Sequence, residues 1–149
     1  MVLVAVAEIL TLQYGWMNMS KHYEVSSEKA PKAIGPYSQA VRAGQFLFIS
    51  GQLGIDPSTS NFVGEAVTEQ TKQVLDNLEA ILHKEGLTFQ NVVKSEVYLQ
   101  DMNDFQAVNL CYEERFIHAV KPARQTMAVK TLPRNALIEI SCIAYIPEN

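Results

Sequence analysis

The sequence predicts an α+β fold, a single mixed or mainly antiparallel sheet with two helices on one of its faces. Three observations lead there. The apolar periodicity alternates along the chain in the order strand, strand, helix, strand, helix, strand, strand, an order that a two-layer design accommodates. A length of 149 residues, with 48% apolar and 19% charged side chains, suits one globular domain with a real core rather than a disordered chain. The last two strand-like runs each carry a charge, Arg124 and then Glu139, among apolar neighbours. Two helices cover only one side of such a sheet, so the face bearing these charges needs a partner.

Residues 1–19 read as an N-terminal extension, poorly ordered, ahead of a domain spanning 20–149. The extension starts apolar (Val2 to Ala7) but has no Lys or Arg before Lys21. It therefore lacks the positive n-region of a signal peptide and the arginines of a mitochondrial presequence. Its apolar run is too short and too interrupted to span a bilayer. A targeting or docking role is the alternative reading.

From Ser26 to Ala33 the chain is a polar loop, and Ile34-Gly35-Pro36-Tyr37 makes a bend that presents Tyr37 from a fixed backbone. Strands Gln39–Arg42 and Gln45–Ser50 form a hairpin about Ala43-Gly44. The second closes on Gly51, where the missing side chain permits close approach of a ligand or another chain. Asp56 to Gly64 is an exposed loop. Val67, Thr71, Val74, Leu75, Leu78, Ile81 and Leu82 recur at helical spacing, and Gly86 marks the stop. An alternating strand covers Val92 to Leu99. A second helix begins near Asn103, read as forming a capping box with Gln106, and buries Phe105, Val108, Tyr112 and Phe116.

The final two runs, Pro122 to Val129 and Leu137 to Ile146, flank the turn-forming segment Leu132-Pro133-Arg134-Asn135 and are expected to pair as an antiparallel hairpin. With a side-chain period of two, Ile138, Ile140, Cys142, Ala144 and Ile146 make a core row, and Glu139 falls on the other face. Arg124 and Glu139 are expected on the same mixed face, lining a pocket between subunits. The alternative for this pair is a cross-strand salt bridge at a sheet surface.

The formal net charge is −4, from 12 basic against 16 acidic residues, with no basic run. A dedicated nucleic-acid binder would show a clustered positive footprint. One placed arginine still suffices for a small anionic substrate. Cys111 and Cys142 form no disulfide framework and no metal spacing, and suit a reducing compartment. His22, His83 and His118 are scattered, so no metal site is expected.

Several of these stretches together resemble the RidA (YjgF) family of imine/enamine deaminases. The matches are Ala33-Ile34-Gly35-Pro36-Tyr37-Ser38-Gln39-Ala40, Ile49-Ser50-Gly51-Gln52, Asp104-Phe105 with Val108-Asn109 and Tyr112-Glu113, Pro122-Ala123-Arg124, and Ile138-Glu139-Ile140. The resemblance covers roughly residues 20 to 147. It implies a chorismate-mutase-like fold, a homotrimer with sites in the clefts between chains, and no metal or organic cofactor. It implies as substrates 2-iminoacids and their 2-enamine tautomers, released when pyridoxal-phosphate enzymes eliminate from serine or threonine. Hydrolysis then yields a 2-ketoacid and ammonia, and protects those enzymes from metabolite damage.

Under that resemblance Arg124 is suited to the substrate carboxylate, because its planar fork offers two parallel charge-assisted bonds. Glu139 is the candidate to hold the attacking water and pass its proton to nitrogen. The backbone of Thr126, where relatives often carry cysteine, adds a contact. Gly51 lends its backbone, Tyr37 stands at the pocket rim, and Asn109 is a secondary contact. Two other classes of function stand beside this one: an endoribonuclease or translation inhibitor, and a chaperone-like interaction module in which Arg124 and Glu139 merely pair across an interface. The compartment expected is the cytoplasm, with the mitochondrion as alternative, and no membrane or nucleic-acid partner is expected.

Overall fold

The computed structural model describes residues 22–148, so the extension read over residues 1–19 lies outside the described residues. The elements are β1 (Tyr23–Val25), β2 (Ala40–Ala43), β3 (Phe46–Leu53), α1 (Val67–Lys84), β4 (Val92–Leu99), α2 (Phe105–Glu113), β5 (Ala123–Ala128) and β6 (Ile138–Tyr145). They build one six-stranded sheet in the order β1-β2-β3-β6-β4-β5. Every pairing is antiparallel except β4 with β5, so the sheet is mixed as expected. The short strand β1 was not legible in the sequence, because three residues are too few to show a period.

The expected hairpin between β5 and β6 does not form. Helix α2 carries the chain from β4 over the sheet and sets β5 down parallel on the far side of β4. The other edge of β4 is taken by β6. The segment between β5 and β6 instead turns around the end of β4, where Val129 N–H donates to Leu99 O and Gln100 N–H donates to Leu137 O. Within it Pro133–Asn135 is a single 3-10 turn, with Arg134 and Asn135 in the left-handed region at φ 57° and 58°. The turn chemistry was legible; the strand it leads to was not.

The core lies between the sheet and the helices. Ile138, Ile140, Cys142 and Ala144 point into it from β6, as the period of two required, and meet the α1 stripe of Val74, Leu75, Leu78, Ile81 and Leu82. Gln70, Thr71 and Asn77 are the polar side chains that α1 buries beside them. The Asn77 amide donates to Leu53 O and Ile55 O, each at 3.0 Å, and satisfies the carbonyls where β3 leaves the sheet. Gly86 ends α1 at φ +70°, while its N–H and that of Leu87 reach back to His83 O and Leu82 O. This double bond to the last turn is the glycine-dependent C-terminal cap.

The second helix starts differently from the expectation. Asp101, not Asn103, supplies the cap, its carboxylate accepting the Asn103 N–H at 2.9 Å. The chain then passes through a 3-10 turn, Met102–Asp104, before α2 begins at Phe105. Asp outcompetes Asn here because it stands one residue outside the turn, where its oxygen faces the free N–H groups.

Both helices pack on one face. The opposite face carries Phe46, Phe48, Met127 and Tyr145, all two-fifths or so exposed. Phe46 and Tyr145 meet edge to face with centroids 5.9 Å apart. Beside them Glu96 bonds to Lys94 at 2.9 Å and accepts from Tyr98 at 3.1 Å, and the Lys94 bond leads in holding its carboxyl below the usual range. An aromatic and ionic patch thus lies on the face away from the helices.

Candidate functional site

The sequence-predicted site residues fall into two groups on opposite sides of the sheet. Arg124 pairs in register with Ser95, and Thr126 with Val97. Ser95 and Val97 are buried on the helix side, so Arg124 and Thr126 stand on that side too. Glu139 pairs with Tyr98, on the other side. The expectation that Arg124 and Glu139 share one face is therefore overturned. It rested on a hairpin register, and inserting β4 between the two strands changes which residues align.

In the first group, Arg124 Nη1 donates to Asn109 Oδ1 at 2.7 Å. The guanidinium carbon lies over the Tyr112 ring, 4.8 Å from its centroid, and 5.8 Å from that of Phe105. Phe105, Asn109 and Tyr112 follow at spacings of four and three, which places them on one helix face turned to β5. Asn109 is itself oriented by Glu113, whose Oε1 accepts its amide at 3.2 Å. An open cleft beside them is lined by Met102, Asn103, Phe105, Gln106, Arg124 and Thr126. Because β5 is an edge strand and Arg124 is exposed, its remaining N–H groups face this cleft, fit for a carboxylate.

Gly51 and Glu139 form the core of the second group. A side chain at Gly51 would place its Cβ 1.8 Å from Glu139 Oε1 and 2.7 Å from Cδ. Glycine thus leaves room for the Glu139 carboxylate to lie across the β3 backbone, at the irregularity where the β3–β6 register shifts between Ile49 and Gln52, and any side chain there would push the carboxylate aside. Half-buried, Glu139 has its pKa raised, and burial is the cause; Arg124, on the far face, does not oppose it. Ser50 beside Gly51 donates from Oγ to Ser38 O at 2.7 Å, which fastens the preceding loop. On that loop Tyr37 is exposed, its hydroxyl accepting the Ile34 N–H at 3.3 Å. Through Ser38 this tether holds the Tyr37 loop to the strand that carries Gly51.

Sequence reasoning missed Ser50 and the contact of Phe105 and Tyr112 with Arg124. The helical spacing of Phe105, Asn109 and Tyr112 carried the second signal, but only the β4–α2–β5 crossover shows which strand that face meets. Among the described residues no cluster of His, Cys, Asp and Glu has the makings of a metal site, and no helix is long and apolar enough to cross a membrane.

Comparison with known proteins places this arrangement. The family model described as Endoribonuclease L-PSP matches residues 27–146. The chain is 51% identical over 122 residues to the chloroplastic Reactive Intermediate Deaminase A of Arabidopsis thaliana, covering 82% of this chain and 65% of that protein. It is 49% identical over 120 residues to the 2-iminobutanoate/2-iminopropanoate deaminase of Mus musculus, covering 80% and 88% respectively. The crystal structure of E. coli TdcF with bound serine superimposes with a TM-score of 0.80 at 34% identity, over 84% of this chain and 99% of that one. With its fold, its family match and relatives at about half identity in agreement, the chain belongs to the RidA (YjgF) family.

Proposed function

We propose that the protein hydrolyses 2-imino and 2-enamino acids to 2-ketoacids and ammonia, at sites completed by a second copy of the chain in a homotrimer. The observation that carries this reading is the placement of Arg124 and Glu139 on opposite faces of one sheet. A single chain cannot apply both to one small substrate. A neighbouring copy, seated on the aromatic face that the helices leave open, can bring its Glu139 to the Arg124 cleft, and cyclic symmetry repeats the site. The relatives named as deaminases support the chemistry.

Arg124 clamps the substrate carboxylate and orients the adjacent C=N carbon. Glu139, with a pKa raised by burial, holds the attacking water; the water oxygen bonds to carbon as its first proton passes through the carboxylate to nitrogen, and the remaining hydroxyl proton follows to nitrogen as the C–N bond breaks, the C=O bond forms and ammonia leaves. The Thr126 backbone, Gly51, Tyr37 and Asn109 complete the walls. Two free buried cysteines support a reducing compartment, the cytoplasm or the mitochondrial matrix.

Complementation between variants tests both parts. Arg124→Ala and Glu139→Gln should each abolish acceleration of 2-ketoacid release when coupled to a threonine dehydratase. Unfolded together and refolded as mixed trimers, they should recover roughly one quarter of wild-type activity, since random assembly makes one site in four intact. Absence of activity in wild type removes the deaminase reading, and active wild type without complementation removes the shared site. An endoribonuclease role, which the family description names, predicts salt-sensitive RNA binding, against which the net charge of −4 weighs.

A further inference from the structure

The proposed function leaves one constellation unused. Tyr112 is 6% exposed, and its ring is fixed on both faces. On one side it stacks on Phe116, with centroids 4.0 Å apart and planes 14° from parallel. On the other lies the Arg124 guanidinium at 4.8 Å. Its hydroxyl is 2.6 Å from Ser95 Oγ, and Ser95 is wholly buried. Ser95 is in turn the residue that pairs with Arg124 across β4 and β5. The three residues thus close a ring: strand pairing joins Arg124 to Ser95, a buried hydroxyl pair joins Ser95 to Tyr112, and a cation–π contact joins Tyr112 to Arg124.

An exposed arginine on an edge strand has many rotamers, and ordering it on binding costs affinity. Here the aromatic stack sets the plane of the guanidinium, and Asn109 occupies one of its nitrogens. The plane a carboxylate must adopt to make two parallel bonds is therefore set before substrate arrives.

We propose that Tyr112, locked by Ser95, is a positioning residue that pre-orients Arg124 for its carboxylate ligand. Tyr112 touches no substrate; it acts through the arginine. The inference rests on Arg124 being the carboxylate clamp of the proposed function, but does not need the deaminase chemistry itself.

The test uses the full chain, 2-oxobutanoate as the carboxylate probe, and the Nε–H resonance of Arg124 in the ligand-free protein. In wild type that N–H should show restricted motion. In Tyr112→Leu it should become mobile, with the dissociation constant for 2-oxobutanoate raised about two- to fivefold, the worth of one exposed cation–π contact. Ser95→Ala, a small change that guards against loss of folding, should give the same two effects at smaller size, and Tyr112→Phe should restore most of the restriction. Unchanged Arg124 motion in folded Ser95→Ala and Tyr112→Leu would overturn the proposal, as would free motion in wild type. Because motion and probe binding are read without catalysis, a wild type that binds 2-oxobutanoate yet hydrolyses no imine would end the deaminase reading and leave this one standing.

Discussion

Arg124 and Glu139 stand back to back across one sheet, Arg124 aligned with Ser95 and Glu139 with Tyr98 on the intervening strand. Ser95 and Tyr98 stand three positions apart, an odd offset, so their partners must emerge on opposite faces. No rotamer change within one chain can unite the two groups proposed for imine hydrolysis.

Replacing Arg124 by lysine keeps the charge but removes the planar fork and the stacking on Tyr112. Deaminase activity should fall by about tenfold or more, with the loss appearing in substrate affinity. Arg124 is exposed, so the melting temperature should barely move. Steady-state kinetics beside a thermal melt checks both.

Glu139→Gln should act on stability with a definite pH dependence. Burial raises the Glu139 pKa, so the folded state holds the proton more tightly than the unfolded chain. The ionised group therefore opposes folding, fully above its folded pKa, and the penalty vanishes as pH falls below the unfolded value. Glutamine carries no such penalty. The variant should melt above wild type at about pH 8 and converge on it toward about pH 4. A constant difference across that range would contradict the desolvation account.

At Gly51 even one methyl group has no room, since Glu139 fills the space. Gly51→Ala should displace the carboxylate, cost about 1–3 kcal/mol and abolish activity. Most of the stability loss should disappear when the substitution is made in a Glu139→Ala background, a coupling that chemical denaturation of the four proteins would measure.

Asn77→Ala takes the amide donor from the Ile55 carbonyl inside the core, while Leu53 O keeps the Ile55 N–H at 2.8 Å. A loss of about 1–3 kcal/mol is expected from the orphaned group. Asn77 bonds no site residue itself, though Leu53 pairs with Glu139 across β3 and β6, so turnover per folded molecule should fall far less than stability. Urea melts with an activity assay on the refolded fraction would show this.

The sequence by itself determined the fold class, the α1 stripe, the limits of β4, the core row of β6 and the identities of Arg124, Gly51 and Glu139 as unusual positions. These follow from local periodicity and from the chemistry of single residues, which neighbours in sequence suffice to reveal. Tertiary structure alone decided that β4 lies between β5 and β6, that Arg124 and Glu139 therefore part company, and that Tyr112 comes to rest beneath the guanidinium. Strand order is a matter of which edges remain free after the α2 crossover packs, and turn residues such as Pro133 and Asn135 encode that the chain bends, not where it lands. A period of two then turns that one insertion into a change of face for an entire strand.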